Sequence, residues 1–304
     1  MRYSRVLDSA RIVGGRIAAT YAIGWVRVRY PPAMGFLAIT PAPALSHLVE
    51  TIWDCDVPAQ PHGLERIMPV AKAGLIINLA ENETRSYDPD TLRCHRHSAF
   101  TLDGPGDRCA VIDTAEQAAV MGVIFHPGAA AAFFRERFDR LANTSIDMED
   151  FFGAEAGRLR ERLLEGRDAQ ARLRTLHAWL LARAESTAPR SGLLTHALAL
   201  LDRMPEVQRI GQLARDCGLS TRRMSDLFNE HVGLAPKRYA RLQRFHRVVG
   251  LAHCRRSIDW AGVAADCGFH DQPHLVREFR AFSGLTPTAY LSQQGPWRNH
   301  VPLQ

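Results

Sequence analysis

The spacing of apolar positions along this chain changes character twice. From Phe36 to about Phe125, short apolar runs such as AGLIINLAE, HSAFTLDG and AAVMGVIFHPG are broken by Pro, Gly, Asn and Asp, the pattern of strands joined by turns. The segments GAAAAFFRERFDRL, AEAGRLRERLLE and DAQARLRTLHAWLLARAES then set Leu, His and Trp three and four residues apart, which predicts amphipathic helices. ESTAPRSG at 185–192 interrupts this period, and beyond it the helical pattern runs to about Ser292. The expected fold class is α+β, a β-rich domain followed by an all-α domain. Expected boundaries are a poorly ordered basic extension at 1–33 (with Met34 an alternative start), a β-rich domain at 34–153, a helical connector at 154–189, the all-α domain at 190–295 and a tail at 296–304.

The all-α part contains an internal repeat. Ile210, Leu213, Ala214, Cys217 and Gly218 match Trp260, Val263, Ala264, Cys267 and Gly268 at an offset of 50. One residue is then inserted, so Ser220, Met224, Phe228, Gly233, Leu234, Pro236 and Tyr239 match Asp271, Leu275, Phe279, Gly284, Leu285, Pro287 and Tyr290 at an offset of 51. Each copy reads as a helix with one apolar stripe, a glycine that ends it in the left-handed region, and an N-cap (Ser220 or Asp271) opening a second helix. Helix, glycine turn and capped helix make a helix-turn-helix unit, whose second helix enters a DNA major groove in the functional version.

The outer face of each second helix carries side chains suited to reading base edges. Thr221, Arg222, Ser225, Asp226 and Asn229 stand on the first, and Gln272, His274 and Arg277 on the second. Between the copies, PKRYARLQRFHRVVGLAHCRRS opens with Pro236 at a position suited to a helix start. A rod of about 18 residues at 1.5 Å each spans roughly 27 Å, which can hold two recognition helices near the roughly 34 Å between successive major-groove faces. Lys237, Arg238, Arg255, Arg256 and Arg280 are expected to touch phosphates, which position the protein without specifying sequence.

Charge sharpens this picture. Residues 190–304 carry 16 Lys and Arg against 9 Asp and Glu, whereas 34–189 carry 16 against 22 and 1–33 carry 6 against 1. A basic C-terminal third is the electrostatic footprint of a polyanion partner. A length of 304 residues suits two cores, and no apolar run approaches the roughly 18 residues of a membrane helix, so a soluble chain without a membrane partner is expected. The six cysteines lack CxxC spacing, which points to a reducing cytoplasm.

With these motifs in hand, about 192–292 resembles the DNA-binding domain of the AraC/XylS family of bacterial transcription regulators. The resemblance rests on ADCGFHDQPHLVREFRAFSGLTPTAY, with its Gly-Phe turn, Asp-Gln-x-His cap, paired phenylalanines and Gly-x-Thr-Pro ending. The segments LVETIWDCDV, LERIMPVAKAGLIINLAE and MGVIFHPGAAAAFF are similar to the β-rich, cupin-like N-terminal domain of one AraC-type subgroup. The resemblance implies a transcription regulator, an activator in much of the family. It implies operator DNA as partner, with RNA polymerase, a small-molecule effector and a second copy of the chain as further partners. It implies no catalysis and no cofactor.

Two features invite other chemistry. CHRH at Cys94–His97 is similar to the acceptor cysteine of DNA-repair alkyltransferases, but Arg93 replaces the preceding proline and the order of modules is reversed. His95 and His97 share one strand face as metal ligands do, yet Thr101 and Leu102 stand where a glutamate ligand is needed. His126 before Pro127 and Gly128 reads as a turn or pocket-wall residue. The favoured function is sequence-specific DNA-binding regulation; a repair alkyltransferase fused to a regulator, with Cys94 as acceptor, and a non-specific architectural DNA-binding protein are the alternatives.

Overall fold

The computed structural model describes residues 21–22, 27–28, 35–58, 63–184, 191–203, 210–253, 255 and 257–303. Most of the basic extension, the break at 185–190, Cys254 and Arg256 lie outside the described residues. Apart from a short ladder of Tyr21–Ala22 with Arg27–Val28, the strands are β1 (Gly35–Ile39), β2 (Val49–Asp56), β3 (Leu64–Ile67), β4 (Gly74–Asn78), β5 (Glu83–Tyr87), β6 (Cys94–Ser98), β7 (Phe100–Asp103), β8 (Ala110–Asp113), β9 (Val120–Phe125), β10 (Ser145–Asp147) and β11 (His300–Pro302). The helices are α1 (Ala130–Phe134), α2 (Glu149–Phe152), α3 (Ala154–Leu164), α4 (Ala169–Ala184), α5 (Gly192–Arg203), α6 (Ile210–Asp216), α7 (Thr221–Val232), α8 (Pro236–Ala252), α9 (Trp260–Asp266), α10 (Gln272–Ser283) and α11 (Pro287–Gln293).

The strands form two antiparallel sheets, a six-stranded one in the order β10-β7-β4-β9-β2-β1 and a five-stranded one in the order β11-β3-β8-β5-β6. Period two explains which side chains the first sheet buries. Leu75 and Ile77 on β4 pair with Val123 and Met121 on β9, so all four project from one face. That face packs on α3 and α4, where Leu159, Leu163, Leu173, Leu176 and Leu180 enter the same core. The helices read from sequence as a connector therefore close the sheet they follow. Arg172 of α4 fixes the arrangement by donating twice to buried Asp54 of β2, at 2.6 and 2.9 Å.

The helical domain has its own core, built from Leu213, Met224, Phe228, Tyr239, Phe245, Leu275, Phe279 and Phe282, and this core takes in Met68, Ala71 and Val301. The segment read as a tail from sequence is thus part of the fold. His300–Pro302 adds an antiparallel edge strand beside β3, pairing Val301 with Arg66. The physical reason is that Val301 gains burial from both halves of the molecule while β3 gains a hydrogen-bonded neighbour.

Candidate nucleic-acid interface

Both repeat copies fold as helix, glycine turn and capped helix. After α6, Gly218 takes φ 67° and the Leu219 amide donates to Ala214 O at 2.7 Å; after α9, Gly268 takes φ 72° and the Phe269 amide donates to Ala264 O at 2.8 Å. These bonds satisfy carbonyls that the helix end would otherwise orphan. Ser220 Oγ then accepts from the Arg223 amide at 3.2 Å, and Asp271 Oδ1 from the His274 amide at 2.7 Å, opening α7 and α10. Cys217 and Cys267 are buried immediately after the ends of α6 and α9, where they pack as small hydrophobes.

The expected base readers stand on the outward faces of α7 and α10. Thr221, Arg222 and Asp226 are exposed on the first helix, with Ser225 and Asn229 half-buried. Gln272 and Arg277 are exposed on the second, with His274 half-buried. Two residues that sequence reading passed over belong with them. Arg223 is exposed at the position matching His274 by the offset of 51, and the repeat alignment itself was the signal for it. His270 is the residue inserted in the second copy and is exposed at the mouth of α10.

The expected phosphate contacts divide differently. Lys237, Arg255 and Arg280 are exposed, and Arg256 lies outside the described residues. Arg238 is turned to the other domain: Nε donates to Asp107 Oδ2 at 2.5 Å and the guanidinium lies 4.6 Å over the Phe282 ring. Its charge is thus paired across the seam between the two domains.

Two other arginines of α8, Arg241 and Arg244, act as struts. Arg241 donates to both oxygens of Glu278 on α10, at 2.6 and 2.7 Å. Burial resists ionisation of that carboxyl, but the guanidinium outweighs it and holds Glu278 below the usual carboxylate range. Arg244 is buried, donates to Gly268 O at 3.3 Å and lies over the Phe269 ring. The linker helix therefore braces the second unit with its arginines.

His246, also on α8, reaches the β-rich domain through Nε2, 2.8 Å from Pro69 O. Burial, aided by the charge of Arg298, pushes its pKa down to about 3, so the ring is neutral and Nε2–H donates. The Cys109 amide donates to Phe282 O at 3.0 Å along the same seam.

Residues 213–293 match the family described as a helix-turn-helix domain, and 37–147 match a domain of unknown function. The C-terminal third is a helix-turn-helix domain of the AraC type. None of the curated proteins matches the chain. Among solved structures, an AraC-type DNA-binding domain regulator from Chromobacterium violaceum is 27% identical over 34% of this chain and 95% of its own, with a TM-score of 0.31. An apo ToxT variant from Vibrio cholerae is 9% identical over 85% of this chain and 97% of its own, with a TM-score of 0.44. A ToxT structure from the same organism with bound unsaturated fatty acid is 11% identical over 85% and 95%, with a TM-score of 0.42.

Outside the AraC-type domain, Cys94 lies on exposed β6 opposite Tyr87, in register with the pairs His95–Ser86 and His97–Thr84. No group of three or more His, Cys, Asp or Glu side chains among the described residues is arranged to hold a metal ion. No helix among them is long and apolar enough to cross a membrane.

Proposed function

We propose that this chain is a sequence-specific DNA-binding transcriptional regulator whose two helix-turn-helix units read successive major-groove segments of one operator. The observation that carries the proposal is the duplicated capped helix on a single brace, α8, with reader side chains outward on both copies. Thr221, Arg222, Ser225, Asp226 and Asn229 read bases for the first unit, and Gln272, His274 and Arg277 for the second. Lys237, Arg255, Arg256 and Arg280 contact phosphates. The β-rich domain takes a small effector or pairs two copies of the chain, and the cytoplasm is where such a protein meets operator DNA and RNA polymerase.

Genome-wide mapping of DNA bound by the full chain tests this reading, because a regulator returns a short list of sites sharing one motif. Arg277→Ala should then weaken binding to a mapped site by about 1–3 kcal/mol and relax preference at one base position. Binding that follows only salt and length of DNA, with no shared motif, would support the architectural alternative instead.

A further inference from the structure

The residue inserted in the second repeat copy has a structural consequence that the first copy cannot reproduce. In the first copy Ser220 follows Leu219 directly, and the cap opens α7 at once. In the second, His270 stands between Phe269 and Asp271, and its backbone N–H lies 3.3 Å from Nδ1 of His274. A backbone amide can only donate, so Nδ1 of His274 is the acceptor and the proton of the neutral ring sits on Nε2.

The surroundings hold this arrangement. The His270 ring donates from Nδ1 to Asp271 Oδ2 at 3.0 Å, while Asp271 Oδ1 accepts from the His274 amide, so the cap residue ties both histidines to the first turn of α10. The Phe269 ring meets the His274 ring edge-on at 5.5 Å. Glu278, one turn further along, is engaged through both oxygens by Arg241.

We infer that His274 is presented to DNA as a neutral imidazole with a fixed Nε2–H donor, and that it sets specificity by excluding cytosine at its base position. In the major groove guanine offers the acceptors N7 and O6, adenine the acceptor N7 beside its N6 amino donor, and thymine the acceptor O4, whereas cytosine offers only its N4 amino donor. A donor facing a donor leaves both without a partner. The first unit has Arg223 at the matching position, a charged side chain with five donors, so the insertion makes the two units unequal readers. This inference rests on the regulator reading above, since a base edge must be there to be read.

Selection of duplexes from a randomised pool by the full chain, with the wild type and His274→Ala run side by side, tests it. The wild type should return a motif in which one position of the second half-site is depleted in cytosine. His274→Ala should lift that depletion by about 3- to 10-fold, the worth of one hydrogen bond, and leave the other positions unchanged. Loss of affinity by the same factor on every sequence would make His274 a phosphate contact, and an unchanged profile would make it a bystander; either overturns the inference while the regulator reading stands. A wild type that enriches no motif overturns both. Nitrogen-15 NMR of histidine-labelled wild-type protein gives a second readout free of any variant. The Nε2–H tautomer is expected at His274, and a proton on Nδ1 would refute the lock.

Discussion

Lys237 and Arg238 are neighbours of equal charge in different company. Arg238 is held by Asp107 and stacked on Phe282, whereas Lys237 is exposed beside it. Counterion release counts only charges that meet phosphate, so Lys237→Ala should reduce the slope of log affinity against log salt by about 1. Arg238→Ala should leave that slope unchanged and lower the melting temperature instead; a salt titration with both variants separates the two roles. A second residue is set apart by its protonation. Glu116 is buried in the short turn between β8 and β9, where its carboxylate accepts from the Arg85 amide, and four carboxylates surround that one guanidinium. Burial raises the Glu116 pKa to about 7 despite Arg85. The folded value lies above the unfolded one, so the fold favours the protonated form. The contribution is complete below about pH 4.5 and is lost as pH rises through about 7. Glu116→Gln keeps an acceptor for Arg85 and removes the charge. It should be more stable than the parent by about 1–3 kcal/mol at pH 8 and lose that advantage near pH 4.5, read by denaturant melts at the two pH values. An advantage of equal size at both would rule out this origin.

The helix-turn-helix units show how far an element can be recognised from its own residues. Gly218, Gly268, Ser220 and Asp271 act within a few positions of themselves, so the period, the break and the cap were all visible in the chain, and so was the outward face of each recognition helix. Partners far away in sequence were not. Asp107 is 131 positions from Arg238, and nothing local to either marks the pair. Nothing in the chain marks Arg241 and Arg244 as struts, because an arginine can cover apolar surface and still reach a buried acceptor, which hydropathy does not register. The glycines that end α6 and α7 separate local from long-range demands. Gly218 takes φ 67° and nothing lies within 4 Å of an added Cβ, so Gly218→Ala should cost only the left-handed penalty of about 1–2 kcal/mol. Gly233 takes φ 79°, and an added Cβ would stand 2.6 Å from Phe138 O and from Pro105 Cγ of the β-rich domain. Gly233→Ala should therefore cost roughly 1–3 kcal/mol beyond Gly218→Ala, because the backbone it meets must move. Equal melting temperatures for the two variants would show that the seam yields freely.

At the scale of the whole molecule, the β-rich domain grips both helix-turn-helix units through separate contacts. The first is held where α7 ends, by Gly233 against Phe138 and by Glu230 3.7 Å from Arg137. The second is held by Asp107, Cys109 and, above all, the C-terminal strand. Tyr290 OH donates to Arg298 O, the Met68 amide to Asn299 O, and His300 Nδ1 lies 2.7 Å from Glu65, a buried acid that also accepts from Gln117. Trp297 packs on Phe36 of β1 at 6.1 Å. Three residues reading His-Val-Pro are too short for a period of two to announce a strand, and their partner β3 is distant in sequence, so from the chain alone they read as a tail. Their removal gives the sharpest test of what the grip does. A chain ending at Gln294 keeps both helix-turn-helix units, α8 and the first contact, and loses the strand from the second. Faster amide exchange is expected along Leu64–Ile67, which becomes an edge, and at Met68, whose acceptor is gone. If the domain sets the distance between the two recognition helices, the full chain should prefer one spacing of half-sites. The truncated chain should then bind sites lengthened or shortened by a base pair nearly as well as the parent spacing. Retention of the same sharp spacing preference would mean that α8 alone carries the geometry, and that the strand serves stability only.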